Sequence, residues 1–337
     1  MLRRACLSLI VGAAVLAPPA ASAGPALVFE PYNGTVFYAE DPDVQWFPAS
    51  LTKLMTAYVA FHALRDGEVT PDTKVTCSKH ASVQAPTRLG LPVGGSITLD
   101  VALKVIIVKS ANDVSVMIAE AVAGSEEAFV KRMNEAAKRL GMTQTQFANP
   151  NGLPDERQYT SARDLARLAR AIIVEFPEHA GIFAEQEVQV GQKQLRTHNG
   201  LLRTFQGADG MKTGFICDSG FNVVASATRD GRKLVAVVLG EPSTATRNIR
   251  AAELLENGFK RYFWKSLFGT SLDGLAMQAS LSDGPVHLRE VICGPKPKGK
   301  KSVRKSSAES VLQEFDSKSA PYQPAHEVPG IALNTPN

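Results

Sequence analysis

Strand-like patterns open and close the main body of this 337-residue chain, and a long stretch of helical periodicity lies between them. At the N-terminal side Val28 and Phe29, then Val36, Phe37 and Tyr38, flank Asn33-Gly34, a two-residue hairpin signal. Toward the other end, residues 221–228 and 233–239 are β-rich and are joined by Asp230-Gly231, a second such signal. Strands separated in sequence by an all-helical block predict one antiparallel sheet flanked by helices, with an all-helical subdomain inserted, an α+β fold.

The helical block can be read in pieces. A helix follows from Ser50, with Leu51, Leu54, Met55, Tyr58 and Val59 on one face. A longer region over 100–140 is broken near Ser110-Ala111-Asn112 and again at Gly124, then stopped by Gly141. Its last helix carries a core stripe of Phe129, Met133, Ala136, Ala137 and Leu140. The loop 148–154 is all turn chemistry, and Ser161, with Asp164 three residues on, opens a further helix in a capping arrangement. Past Gln186 the period turns strand-like, and a closing helix over 246–262 carries Ile249, Leu254, Leu255 and Phe259.

Arg3 and Arg4, an apolar stretch from Cys6 to Leu16 and the small residues Ala21-Ser22-Ala23 make residues 1–23 an expected secretory signal. Its removal takes the formal charge from +4 to +2, so the mature chain is nearly balanced. What excess exists is local: Lys296, Lys298, Lys300, Lys301, Arg304 and Lys305 fall in ten residues without an acid. Residues 294–337 read as a basic, low-complexity, disordered tail, and 263–293 as a short extension after a catalytic domain at 24–262. An exported chain of this kind is not expected to bind nucleic acid. The cysteines left after processing, Cys77, Cys217 and Cys293, permit at most one internal disulfide in an oxidising compartment. No C-x-x-C or H-E-x-x-H spacing occurs, so neither a metal nor a cofactor is implied.

Three short motifs carry the chemistry: Ser50-Leu51-Thr52-Lys53, Ser110-Ala111-Asn112 and Lys212-Thr213-Gly214. Lys53 sits three residues after Ser50 and so on the same helical face, within reach of its hydroxyl. A hydroxyl attacks only when a base takes its proton, and a lysine serves as that base only if burial or a nearby cation lowers its pKa. Lys212 is the candidate cation. Ser110 is a candidate proton relay, Asn112 a holder of a substrate amide, and Lys212 and Thr213 a charge and a hydroxyl for a substrate carboxylate. Gly214 lets a substrate backbone come close, and the amides of Phe215 and Ser50 are candidates for an oxyanion hole. A second S-x-x-K, Ser302 to Lys305, stands alone in the tail.

In this order the motifs are the S-x-x-K, S-x-N and K-T-G set of serine acyl-transfer enzymes. Residues 26–262 resemble the low-molecular-mass penicillin-binding proteins, the serine D-alanyl-D-alanine carboxypeptidases. The likeness extends over 48–56, 109–113, 147–154 (Phe147-Ala-Asn-Pro-Asn-Gly-Leu-Pro154), 160–164, 199–202, 209–214 and 254–259. It implies a penicillin-binding-protein/β-lactamase-like fold, with Ser50 acylated and Lys53 its base. Ser110 and Asn112 become the second catalytic pair, and Lys212, Thr213 and Arg247 the carboxylate site, with Arg250 also near. The implied reaction, in the periplasm, removes the terminal D-Ala from peptidoglycan stem pentapeptides through an acyl-enzyme. β-Lactams would acylate the same serine.

The chain departs from that pattern in three places. Phe215 stands where family members often carry His or Tyr; the family's second, β-rich domain has no evident counterpart between Tyr262 and Cys293; and the tail shows no amphipathic helix of the kind that usually anchors the family to a membrane. Other readings use the same motifs: a D,D-endopeptidase, a class A-like β-lactamase or a non-catalytic β-lactam sensor. For the β-lactamase, Glu156 is the acid near the right loop, without the E-x-x-L-N pattern.

Overall fold

Both Asn/Asp-Gly pairs lie in hairpins, but only Asp230-Gly231 is a two-residue turn; six residues, 30–35, connect the first pair of strands. The computed structural model describes residues 24–277 and 284–294. The expected secretory signal and nearly all of the basic tail lie outside them. Strands β1 (Ala26–Phe29) and β2 (Val36–Glu40) pair around Gly34, whose φ of 77° suits glycine. The other hairpin joins β4 (Gly220–Arg229) to β5 (Arg232–Glu241), with Asp230 and Gly231 both at positive φ as a type I′ turn requires. With β3 (Ala208–Ile216) these strands make one antiparallel sheet in the order β2-β1-β5-β4-β3. The N-terminal strand therefore lies inside the sheet, between β2 and the central β5, and the strand holding Lys212-Thr213-Gly214 lies at an edge. This is the antiparallel, α+β arrangement expected from the sequence.

Alternation sorts the strands between two cores. Leu27, Phe29, Val224, Val235, Val237 and Leu239 face a helical block made by α1 (Thr52–Arg65), α2 (Leu99–Val108), α3 (Asn112–Ala123), α4 (Glu126–Arg139) and α5 (Ala162–Glu175). Ala26, Val28, Val223, Ala225, Leu234, Ala236 and Val238 face α6 (Thr244–Lys260). Covering both faces removes the need for polar positions, so β1 and residues 234–239 of β5 are apolar throughout. Each fully buried Val, Leu or Phe contributes about 1.5–3 kcal/mol.

The helix breaks fall where the sequence puts them. A gap at Lys109–Ala111 separates α2 from α3, Gly124 ends α3 in the left-handed region, and Gly141 follows α4 with φ 68°. Ser161 caps α5 by accepting from the Asp164 amide. The Asp164 carboxylate, however, does not complete a capping box: it accepts from the Gln144 amide and the Thr145 hydroxyl instead. Two helices differ from their expected faces. α1 is buried almost all round, not on one stripe, because the sheet and the other helices of the block enclose it. On α6, Ile249 is 43% exposed, while Ala251, Leu255 and Gly258 face the sheet; a Cβ at Gly258 would stand 2.7 Å from Leu234 Cδ1.

Residues past Gln186 make a separate hairpin, Glu187–Val190 with Lys193–Arg196. After α6 a short helix, Tyr262–Phe268, leaves Phe263, Trp264, Leu267 and Phe268 exposed. Cys217 is bonded to Cys293, and Cys77 is a buried free thiol. Among the described residues, no helix is long and apolar enough to cross a membrane.

Candidate active site

Ser50 lies in a single 3₁₀ turn, Ala49–Leu51, just before α1. Its side chain caps no helix: Leu51 is the N-cap of α1, and no side chain caps that end. The turn is held from both sides by close backbone. Ala49 adopts φ 48°, and the Thr52 hydroxyl donates to its carbonyl at 2.8 Å. A Cβ on Gly152 would fall 1.9 Å from that same carbonyl oxygen, and one on Gly214 would fall 3.1 Å from the Ser50 nitrogen. Two glycines from distant segments thus let a loop and an edge strand press against the serine turn.

Lys53, three residues on, places Nζ 3.1 Å from Ser50 Oγ. Nζ also donates to Asn112 Oδ1 at 2.7 Å and to the Asn151 carbonyl. A lysine accepts nothing while protonated, so the Asn112 atom facing it is its oxygen; the Asn112 nitrogen donates to the Ala85 and Pro86 carbonyls at 2.9 and 3.0 Å. Lys53 is fully buried. Burial holds its pKa well below the usual lysine value, the Lys212 charge lowers it further, and Asp113 partly opposes both. Asp113 is fixed by the Leu89, Gly90 and Val114 amides.

The break between α2 and α3 turns Ser110 to φ 62° and aims its hydroxyl at β3. Lys212 Nζ donates to Ser110 Oγ at 3.0 Å and to the Thr213 carbonyl at 2.9 Å. Lys212 is 2% exposed, and burial, helped by the Arg247 charge, brings its pKa down to about 7. The three motifs therefore meet at two buried lysines, each with a serine hydroxyl about 3 Å away.

These groups stand at a cleft of about 320 Å³ lined by Ser50, Ser110, Asn112, Thr213, Gly214, Phe215 and Arg247, among others. The Phe215 ring packs on Phe221 with centroids 4.2 Å apart. Of the two arginines named from the sequence, Arg247 lines the cleft. Arg250 is engaged elsewhere, with Glu40 and Glu241. Sequence reading did not single out Asn151, Asp113, His198 or Arg289, the last two of which also line the cleft. The first two sit inside motif-bearing stretches, so their neighbours were the available signal. His198 and Arg289 had none, since chain path alone brings them there. Glu156 is not among the lining residues; its exposed carboxylate lies 3.6 Å from His287.

The chain is similar to proteins of known family. The chain is 34% identical to D-alanyl-D-alanine carboxypeptidase DacF of Bacillus subtilis over 70% of its own length and 62% of the relative's. It is also 34% identical to D-alanyl-D-alanine carboxypeptidase DacA of Haemophilus influenzae, over 73% and 64% respectively. It thus spans less than two thirds of the length of these curated relatives. The crystal structure of penicillin binding protein 5 from H. influenzae superimposes with a TM-score of 0.68 at 34% identity, covering 73% of each chain. Penicillin-Binding Protein D2 from Listeria monocytogenes, solved in an ampicillin-bound form, gives 0.62 at 28% identity over 70% of this chain and 97% of that one. The family model described as Peptidase_S11, D-alanyl-D-alanine carboxypeptidase, matches residues 13–243, and the chain belongs to that family.

Proposed function

We propose that this chain is a serine D,D-carboxypeptidase that removes the terminal D-Ala from peptidoglycan stem pentapeptides through a Ser50 acyl-enzyme. The observation that carries the reading is the set of acceptors around Lys53. Asn112 Oδ1 and the Asn151 carbonyl take two N–H groups. On a neutral amine these are all the N–H groups there are, and the lone pair is left for Ser50 Oγ at 3.1 Å. Burial and the Lys212 charge favour that neutral form.

In this mechanism Lys53 Nζ takes the Ser50 proton as Oγ attacks the scissile carbonyl carbon. The developing oxyanion is held by the Ser50 and Phe215 amides, brought together because Gly214 lets β3 lie against the serine turn. Lys212, Thr213 and Arg247 hold the terminal carboxylate. The proton passes by way of Ser110, beside Lys212, to the departing D-Ala nitrogen, and water then hydrolyses the Ser50 ester. Asn112 fixes Lys53 and the 85–87 segment while lining the cleft. β-Lactams, whose amide is opened by the same attack, would acylate Ser50. We also read residues 1–23 as an export signal and the periplasm as the place of action.

The names of the relatives support a carboxypeptidase over an endopeptidase. The exposed position of Glu156, away from the cleft, argues against a β-lactamase's glutamate-activated water. The test is incubation of the mature protein and a Ser50→Ala control with a pentapeptide and with crosslinked muropeptides, read by mass spectrometry. Ser50-dependent loss of one D-Ala is expected. Cleavage of the crosslink alone would make the enzyme an endopeptidase, and penicillin binding without turnover would make it a sensor.

A further inference from the structure

The strand bearing Lys212-Thr213-Gly214 is an edge of the sheet, and an extended peptide can add itself to such an edge through backbone hydrogen bonds. The cleft runs on from Thr213 past Gly214, Phe215 and Ile216 to Cys217. At about 3.3 Å per residue that path is about 13 Å, enough for the leaving residue and two residues of acyl donor. At its far end stands a piece of chain from far along the sequence. Cys293 is bonded to Cys217, 76 positions earlier. Leu288 donates its amide to the Asp218 carbonyl at 2.9 Å, and His287 packs edge-on against Phe47. Arg289 sets Nε and Nη2 on the Asp218 carboxylate at 3.2 and 2.8 Å.

This segment is shallowly packed, with Val291 76% exposed and one four-residue helix, Arg289–Ile292. Val286 and Leu288 pack on the core and the Val286 amide donates to the Gln45 carbonyl, while the disulfide and the Asp218 contacts tie its far end beside Cys217 and bring Arg289 to the cleft wall. Asp218 occupies one edge of the guanidinium; the N–H groups of Nη1 lie outside that pairing. His287 and Glu156 also stand at this rim, His287 3.5 Å from Asp218 and Glu156 3.6 Å from His287. Among the described residues no Asp or Glu lines the cleft, whereas two arginines do. Arg247 is assigned to the terminal carboxylate; Arg289 stands at the opposite, acyl-donor end.

We propose that Arg289, held in the cleft wall by the Cys217–Cys293 bond, is a substrate-positioning residue that selects peptides with a second carboxylate on the residue just before D-Ala-D-Ala. The inference rests on the D,D-peptidase reading above. Its test compares two pentapeptides ending in D-Ala-D-Ala that differ only in Glu or Gln at the preceding position. For the wild type, kcat/KM is expected to favour the Glu peptide about fivefold, the upper range for a partly exposed ion pair. Arg289→Gln brings the ratio to about one, and Arg289→Lys restores part of it. A Cys217→Ser, Cys293→Ser double variant loses the ratio as Arg289→Gln does, because the wall is no longer tethered. A merely structural role would lower both peptides together and leave the ratio intact. A wild-type ratio of one, or a ratio that survives Arg289→Gln or loss of the disulfide, overturns the proposal. Failure to hydrolyse either peptide overturns the D,D-peptidase reading and this inference with it.

Discussion

The two buried lysines of the cleft have the same side chain and nearly the same exposure, yet their surroundings give them different work. Lys53 comes from the enclosed helix α1 and meets two carbonyl-type acceptors, a serine hydroxyl and another cation. Lys212 comes from an edge strand and meets a serine hydroxyl, one carbonyl and the influence of Arg247. Burial lowers both pKa values, that of Lys53 well below the usual lysine range and that of Lys212 to about 7. Burial alone therefore does not assign base and cation; the neighbouring charges do. In the proposed mechanism the Lys212 charge adds to burial in favouring the neutral form of Lys53.

Three substitutions test that division, beginning with the largest effect. Lys53→Ala removes the base, and Ser50 acylation by a fluorescent penicillin should slow on the order of 10³-fold while bound ligand stays attached to Ser50 when it does react. A loss of less than tenfold would mean that another group takes the proton. Lys212→Gln should cost about 10²-fold in kcat/KM on a pentapeptide, comparable with removing one preorganised electrostatic contact. It also removes a cation that lowers the Lys53 pKa. That pKa then rises, though burial still holds it below the usual value, so the rising limb of the pH profile moves to higher pH. An unmoved limb would separate the two lysines electrically.

The smallest effect is expected from Arg247→Gln, about tenfold in kcat/KM, carried by KM, the scale of one charge-assisted contact. In the wild type kcat/KM should decline as pH rises through about 7, where Lys212 loses its proton. Arg247 lowers the Lys212 pKa, so its removal moves that decline to higher pH. An unmoved decline would show that Arg247 acts only on substrate.

Much of this site was legible because it is local. Ser50 and Lys53 lie three residues apart, and the turn leading into a helix brings them together wherever that helix is packed. The breaks at Ser110–Asn112 and Gly124 were likewise marked by residues whose own backbone preferences end or interrupt helices. The exposure of Ile249 and the all-round burial of α1 were not legible, since a helix's periodicity names its apolar residues but not how many neighbours surround it. Asp164 shows the same limit on a smaller scale: its spacing fitted a capping box, and the 144–145 segment captured its carboxylate.

The sequence by itself determined the α+β architecture, the Asp230-Gly231 turn, the helix boundaries around the second motif and which residues to propose as the reacting groups. Each of these depends on contacts within a few residues or on a repeating apolar pattern. Tertiary structure alone decided that Lys53 meets Asn112 across 59 positions, that Lys212 meets Ser110 across 102, and that Cys293 closes on Cys217 to place Arg289 in the cleft wall. Those separations are bridged by the path of the folded chain, and the lysine pKa values follow from the burial and charge that this path creates.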